Sequence, residues 1–98
     1  MSTYIALFRL TDRGVQAIKK TPDNLELNRA FFGPVMGVRL KAVYLVTGQY
    51  DGVAVLEADS DQALARMLLT VASFGNIRTE TMRAFTEEEF KNILAELP

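Results

Sequence analysis

The sequence predicts an α+β fold in which strands and helices follow one another as β-α-β-β-α-β, with one more helix at the end. Three observations carry the prediction. Strand-forming residues gather in four places, Thr3 to Leu10, Val38 to Thr47, Tyr50 to Ala58 and Ile77 to Phe85. Between and after them, apolar residues recur at helical spacing behind recognisable caps. Finally, 98 residues leave room for one core only, so residues 1–98 form a single domain.

The first strand, TYIALFRL, is β-branched and aromatic and is closed by Thr11-Asp12, a polar pair suited to starting a helix. Val15 and Ile18 give Asp12 to Lys20 a helical period, and Thr21-Pro22-Asp23 reads as an N-cap with proline in the first turn. A second helical piece then runs through Leu25, Leu27, Ala30 and Phe31, to end by Phe32 because Gly33-Pro34 disfavours helix on both sides. In the next two strands only Gly48-Gln49 stands between the runs, which predicts a type II′ hairpin with Tyr44 facing Val53. Asp51, Val53, Val55 and Glu57 then share a sheet face with Tyr44. Asp59 to Gln62 is a capping pattern ahead of a helix with Leu64, Met67, Leu68 and Val71 on one side and Ala65, Leu69 and Ala72 on the other, so little of it is expected to face solvent. After the fourth strand, Thr86-Glu87-Glu88-Glu89 is a capping box opening a helix striped with Phe90, Ile93, Leu94 and Leu97.

This order is the split βαβ pattern of the ferredoxin-like fold, with both helices on one face of a four-stranded sheet. The first and third strands are expected to lie centrally and parallel. Both are apolar on both faces: Tyr4, Ala6, Phe8 and Leu10 against Ile5 and Leu7, and Gly52, Ala54 and Leu56 against Val53 and Val55. Which face meets the helices is therefore left open. Two apolar faces demand two covers, and a second copy of the chain, paired sheet to sheet, is the economical one.

Composition excludes several classes of function. A formal net charge of −1 removes the electrostatic basis for non-specific nucleic-acid binding. There is no cysteine, hence no disulfide and no thiolate nucleophile or metal ligand, which suits a reducing compartment. There is no histidine either, which removes the commonest general base and zinc ligand; no metal and no other cofactor is expected. The N-terminus does not read as a signal peptide, and no run approaches the ~20 apolar residues of a membrane span, so the cytoplasm is the expected location.

GQYD at positions 48–51, its continuation VAVLEA, GNIRTETMRAF at 75–85, TEEEF at 86–90, and the earlier YIALFRLTDRG and IKKTPD together resemble the GYD-domain family of small bacterial proteins. The resemblance implies a ferredoxin-like subunit of the dimeric α/β-barrel type and no established reaction. FFGPVMGVR at 31–39 departs from the family pattern by placing proline where a charged helix more often continues. The missing histidine argues against the haem-degrading and chlorite-dismutating relatives of the fold.

Two constellations are candidates for chemistry. Tyr50 and Asp51, with Tyr44 and Arg83, form a possible ligand pocket in which Asp51 serves as acid or base; the competing reading has Asp51 cap the turn while Tyr50 packs an edge. Arg9, Glu57, Arg78 and Glu80 form a mixed-sign rim, read as an ion-pair network before an anion site. With the first and third strands parallel, Arg9, Glu57 and Arg78 share one end of the sheet and Asp51 lies at the other with Arg83, so the two constellations do not meet within a subunit. Three functions stay open: a small-molecule-binding or auxiliary homodimer with a possible apolar ligand, a cofactor-independent enzyme acting on a small apolar or aromatic substrate, and a purely structural self-assembling module.

Overall fold

A computed structural model describes residues 1–20, 22 and 37–98. The helical piece expected after Thr21, with Phe31, Phe32 and Gly33-Pro34, lies outside the described residues. The described elements are β1 (Ser2–Leu10), α1 (Asp12–Gln16) with a 3-10 turn (Ile18–Lys20), β2 (Val38–Leu45), β3 (Gly52–Ala58), α2 (Asp61–Ser73), β4 (Ile77–Ala84) and α3 (Glu87–Ala95). The fold is ferredoxin-like: one four-stranded sheet in the order β2-β3-β1-β4, every neighbouring pair antiparallel.

The expected parallel pairing of the first and third strands is thus corrected. The crossover from β1 returns the chain parallel to β1 as β2, one strand position away. The β2–β3 hairpin then reverses it, so β3 fills the gap antiparallel to both. Tyr4 faces Leu56 and Phe8 faces Gly52 across the central pair.

Capping set the helix starts. The Thr11 hydroxyl accepts from Gly14 N at 3.1 Å and donates to the Gly75 carbonyl at 2.6 Å, tying α1 to the turn after α2. At α2 the cap falls on Ser60, whose Oγ accepts from Ala63 N at 3.1 Å, rather than on Asp59. The Asp59 backbone N–H is already committed to the Gly37 carbonyl at 2.9 Å, where it closes the end of β3 onto the start of β2. The Thr86 capping box forms as expected, with Glu89 N on the Thr86 hydroxyl and Thr86 N on the Glu89 carboxylate.

Strict alternation along β3 settles which face the helices cover. Gly52, Ala54, Leu56 and Ala58 are buried while Val53, Val55 and Glu57 are half-buried. The core joins Tyr4, Ala6, Val38, Ala54, Leu56 and Ala58 of the sheet to Ala63, Leu64 and Met67 of α2. Tyr4 satisfies its buried hydroxyl by donating to the Asp61 carboxylate at the start of α2, and that bond raises its phenol pKa. The outer side of α2 is not covered: Ala65 is exposed and Leu69 is 73% exposed, contrary to the expectation that little of this helix faces solvent. No helix among the described residues is long and apolar enough to cross a membrane.

Candidate functional site

The GQYD segment works as a clasp. Strand pairing ends at Leu45–Gly52, so the expected two-residue turn opens into a six-residue connection, 46–51, closed by Val46 N on the Asp51 carbonyl at 3.0 Å. Gly48 has φ +143, a conformation that side chains with a Cβ rarely adopt. What pulls the following residues away from a tight hairpin is β1. Arg9 Nε donates to the Gln49 carbonyl at 3.0 Å, and its guanidinium lies over the Tyr50 ring, 4.9 Å from the centroid. Asp51 N donates to the Phe8 carbonyl at 2.9 Å, and the Asp51 carboxylate accepts from Leu10 N at 2.8 Å. Tyr50 reaches across β1 to donate its hydroxyl to the Glu80 carboxylate on β4. That bond raises the Tyr50 phenol pKa, with Arg9 acting weakly in the other direction.

Parts of the two constellations therefore meet within one chain: Arg9 and Arg78 share one end as expected, but Asp51 and Glu57 have exchanged ends. Antiparallel register puts Arg9 opposite Arg78 and next to the Gly52 end of β3, so Arg9, Arg78, Glu80, Tyr50 and Asp51 gather at one end. Glu57 lies at the other end, opposite Thr3 and Arg39, and pairs with Lys41 at 3.3 Å. Arg83 also belongs to that far end, opposite Tyr4, its guanidinium 5.7 Å from the Tyr4 ring and 4.4 Å from that of Phe85. It is therefore no neighbour of Asp51. Tyr44 faces Val53 as expected and is 59% exposed. Like-charged Arg9 and Arg78 stand directly opposite one another, with no ion pair to Arg78 among the described residues.

These charges rim a surface that no described helix covers, on which Ile5, Leu7, Val53 and Val55 are half-buried and Tyr44 and Met82 exposed. Ile5, Leu7, Val53, Val55, Ala42, Tyr44 and Met82 alternate away from the core side onto the sheet's second face. Arg9, Arg78 and Glu80 border it at one end, Arg39, Lys41 and Glu57 at the other. Of the residues at the first end, Gln49 was missed because it takes part through its carbonyl, which no side-chain pattern announces, and Tyr50 was kept from Glu80, thirty positions away, by the expectation of parallel first and third strands. No group of three or more Asp and Glu among the described residues could hold a metal ion. Chemically, the arrangement can present an apolar surface framed by guanidinium groups, while its own hydroxyl and carboxylates are engaged in holding the clasp.

The GYD domain model matches residues 4–94. A Thermus thermophilus protein named glutamine synthetase and cystathionine beta-lyase binding protein is 42% identical over 89 residues, covering 86% of this chain and 88% of that one. A crystal structure of a protein from Thermus thermophilus is similar at 30% identity and TM-score 0.60, covering 88% of this chain and 95% of the other. The crystal structure of FFRP-DM1 is similar at 25% identity and the same TM-score, covering 87% of this chain and all of the other.

Proposed function

The chain belongs to the GYD domain family, and from that premise we propose that it is a non-catalytic auxiliary protein, a homodimer paired sheet to sheet that attaches to other proteins. The observation that carries the reading is the second sheet face. Ile5, Leu7, Val53, Val55 and Met82 form an apolar surface that a second copy would cover with the same residues, as a two-fold interface requires. The clasp supports the non-catalytic part: Arg9, Tyr50, Asp51 and Glu80 each engage another group of the chain, so none is a free acid, base or nucleophile. The named relative supports attachment to a metabolic enzyme. Tyr44 and Tyr50 are the residues a small apolar ligand held between the paired sheets would touch.

Sedimentation velocity tests this directly. The purified chain is expected to run as a dimer and to co-sediment, saturably, with glutamine synthetase or cystathionine β-lyase from the same organism. Failure to shift with either enzyme at tens of micromolar overturns the attachment reading for these partners.

A further inference from the structure

In the last helix, sequence and surroundings disagree. Phe90, Ile93, Leu94 and, just past the helix, Leu97 lie at helical spacing, a stripe whose pattern demands burial. Yet no residue of α3 is buried, and the four are exposed by 56%, 42%, 48% and 61%. Nine residues are too few for a helix to persist in water on its own propensity. Its start is well made, by the capping box and by an Arg83–Glu89 ion pair at 3.3 Å. What it lacks is a surface for the stripe.

Charge indicates which surface. Thr86 to Pro98 carries four glutamates against one lysine. Glu89 is held by Arg83 and the cap and Glu87 faces Lys91 at 3.7 Å, while Glu88 and Glu96 have no ion pair among the described residues. The open sheet face has the opposite balance, with Arg9, Arg39, Lys41 and Arg78 against Glu57 and Glu80. Since Glu57 pairs with Lys41 and Glu80 accepts from Tyr50, Arg39 and Arg78 have no ion pair among the described residues. The chain thus holds an acidic amphipathic helix and an apolar face with a cationic rim. The helix also leaves the sheet from the end of β4, whose Met82 and Ala84 lie on that same face.

We propose that α3 docks on a second copy of this chain, its apolar stripe along the flank of the partner's open sheet face and its glutamates toward an unpaired arginine of that rim. The proposal rests on the sheet pairing proposed above. A two-fold axis along the strands brings the helix to the partner's Arg39 at the start of β2. An axis across the strands brings it to the partner's Arg78 at the start of β4. In either geometry the acidic helix meets a cation, and each copy shields the other's stripe.

Sedimentation equilibrium of the full chain decides it. The F90A/L94A variant removes two members of the stripe while keeping helix propensity, since alanine is the best helix former. The expected result is a wild-type dimer and a dissociation constant at least tenfold higher for the variant, with far-ultraviolet circular dichroism preserved. E88K is expected to loosen the dimer as well, and adding R39E or R78E to it to restore the wild-type constant. A wild-type dimer whose constant F90A/L94A leaves unmoved overturns the helix proposal and leaves the sheet pairing standing, with the helix free for a different protein. A wild type that stays monomeric overturns both.

Discussion

Gly52 and Phe8 compete for one volume. A Cβ built on Gly52 would lie 2.0 Å from the tip of the Phe8 ring and 2.5 Å from its two neighbouring ring carbons. The ring lies flat over the central strand, and only a residue without a side chain can lie beneath it. Gly52→Ala is therefore expected to cost about 1–3 kcal/mol in urea unfolding, the usual penalty for overpacking. Phe8→Leu in the same chain should recover part of that loss, and an additive double mutant would refute the shared-volume account. Next to it, Asp51 acts on the backbone: its carboxylate takes Leu10 N–H at 2.8 Å where β1 has run past the end of its pairing with β3. Asp51→Ala leaves that donor without its acceptor and should destabilise by about 1–3 kcal/mol. Asp51→Asn keeps an acceptor oxygen at the same place and should cost clearly less. If the two variants lose the same stability, the negative charge and not the hydrogen bond is what matters there.

At the scale of elements, the caps decide where helices begin, and α3 shows it with a pH signature. The Glu89 carboxyl is held below its ordinary 4.5, chiefly because Thr86 N–H donates to it and secondarily through Arg83. A group with a depressed folded pKa stabilises fully above the unfolded value, and that stabilisation is lost as pH falls through the folded one. Helicity of α3, followed by amide hydrogen exchange, should accordingly fall as pH drops below about 4.5. Glu89→Gln should flatten that dependence, and Thr86→Ala should lower protection across the whole range, by about 0.5–2 kcal/mol as for other lost caps. These helix starts were legible in the sequence at Thr11 and Thr86 because a cap is a contact between residues three positions apart. The Tyr44–Val53 register was legible for the same local reason. Strand direction was not, since the sense of β3 against β1 depends on a crossover and a hairpin together, and an error there exchanges the two ends of the sheet. Arg83 was thereby assigned to Asp51 when it stands beside Tyr4, and Glu57 to Arg9 when it pairs with Lys41. The inner face was illegible as well: Gly52, Ala54 and Ala58 look less like core than Val53 and Val55, yet their smallness lets Phe8 and α2 approach.

For the molecule as a whole, the question is whether one copy buries enough. Among the described residues, four of the nine that form the core are alanine, at positions 6, 54, 58 and 63, and each removes far less apolar surface from water than a leucine does. Meanwhile the branched residues Ile5, Leu7, Val53 and Val55 lie half-buried on the face opposite the one that the described helices cover. Pairing two such faces would supply the burial that the alanine-rich side does not, and folding would then be coupled to association. Coupled folding has a definite consequence, because each tenfold rise in concentration stabilises the folded dimer by about 1.4 kcal/mol. For two chains of this size unfolding together, that amounts to a rise in melting temperature of about 3–6 °C per decade. Calorimetry over 1–100 μM is expected to show this slope in the wild type. Val55→Asp, which places a charge at the centre of the open face, should abolish the slope and lower the melting temperature to a concentration-independent value. A wild-type melting temperature already flat over that range would mean that a single copy is stable without its second cover, and the apolar face would then have to be explained by a partner of another kind.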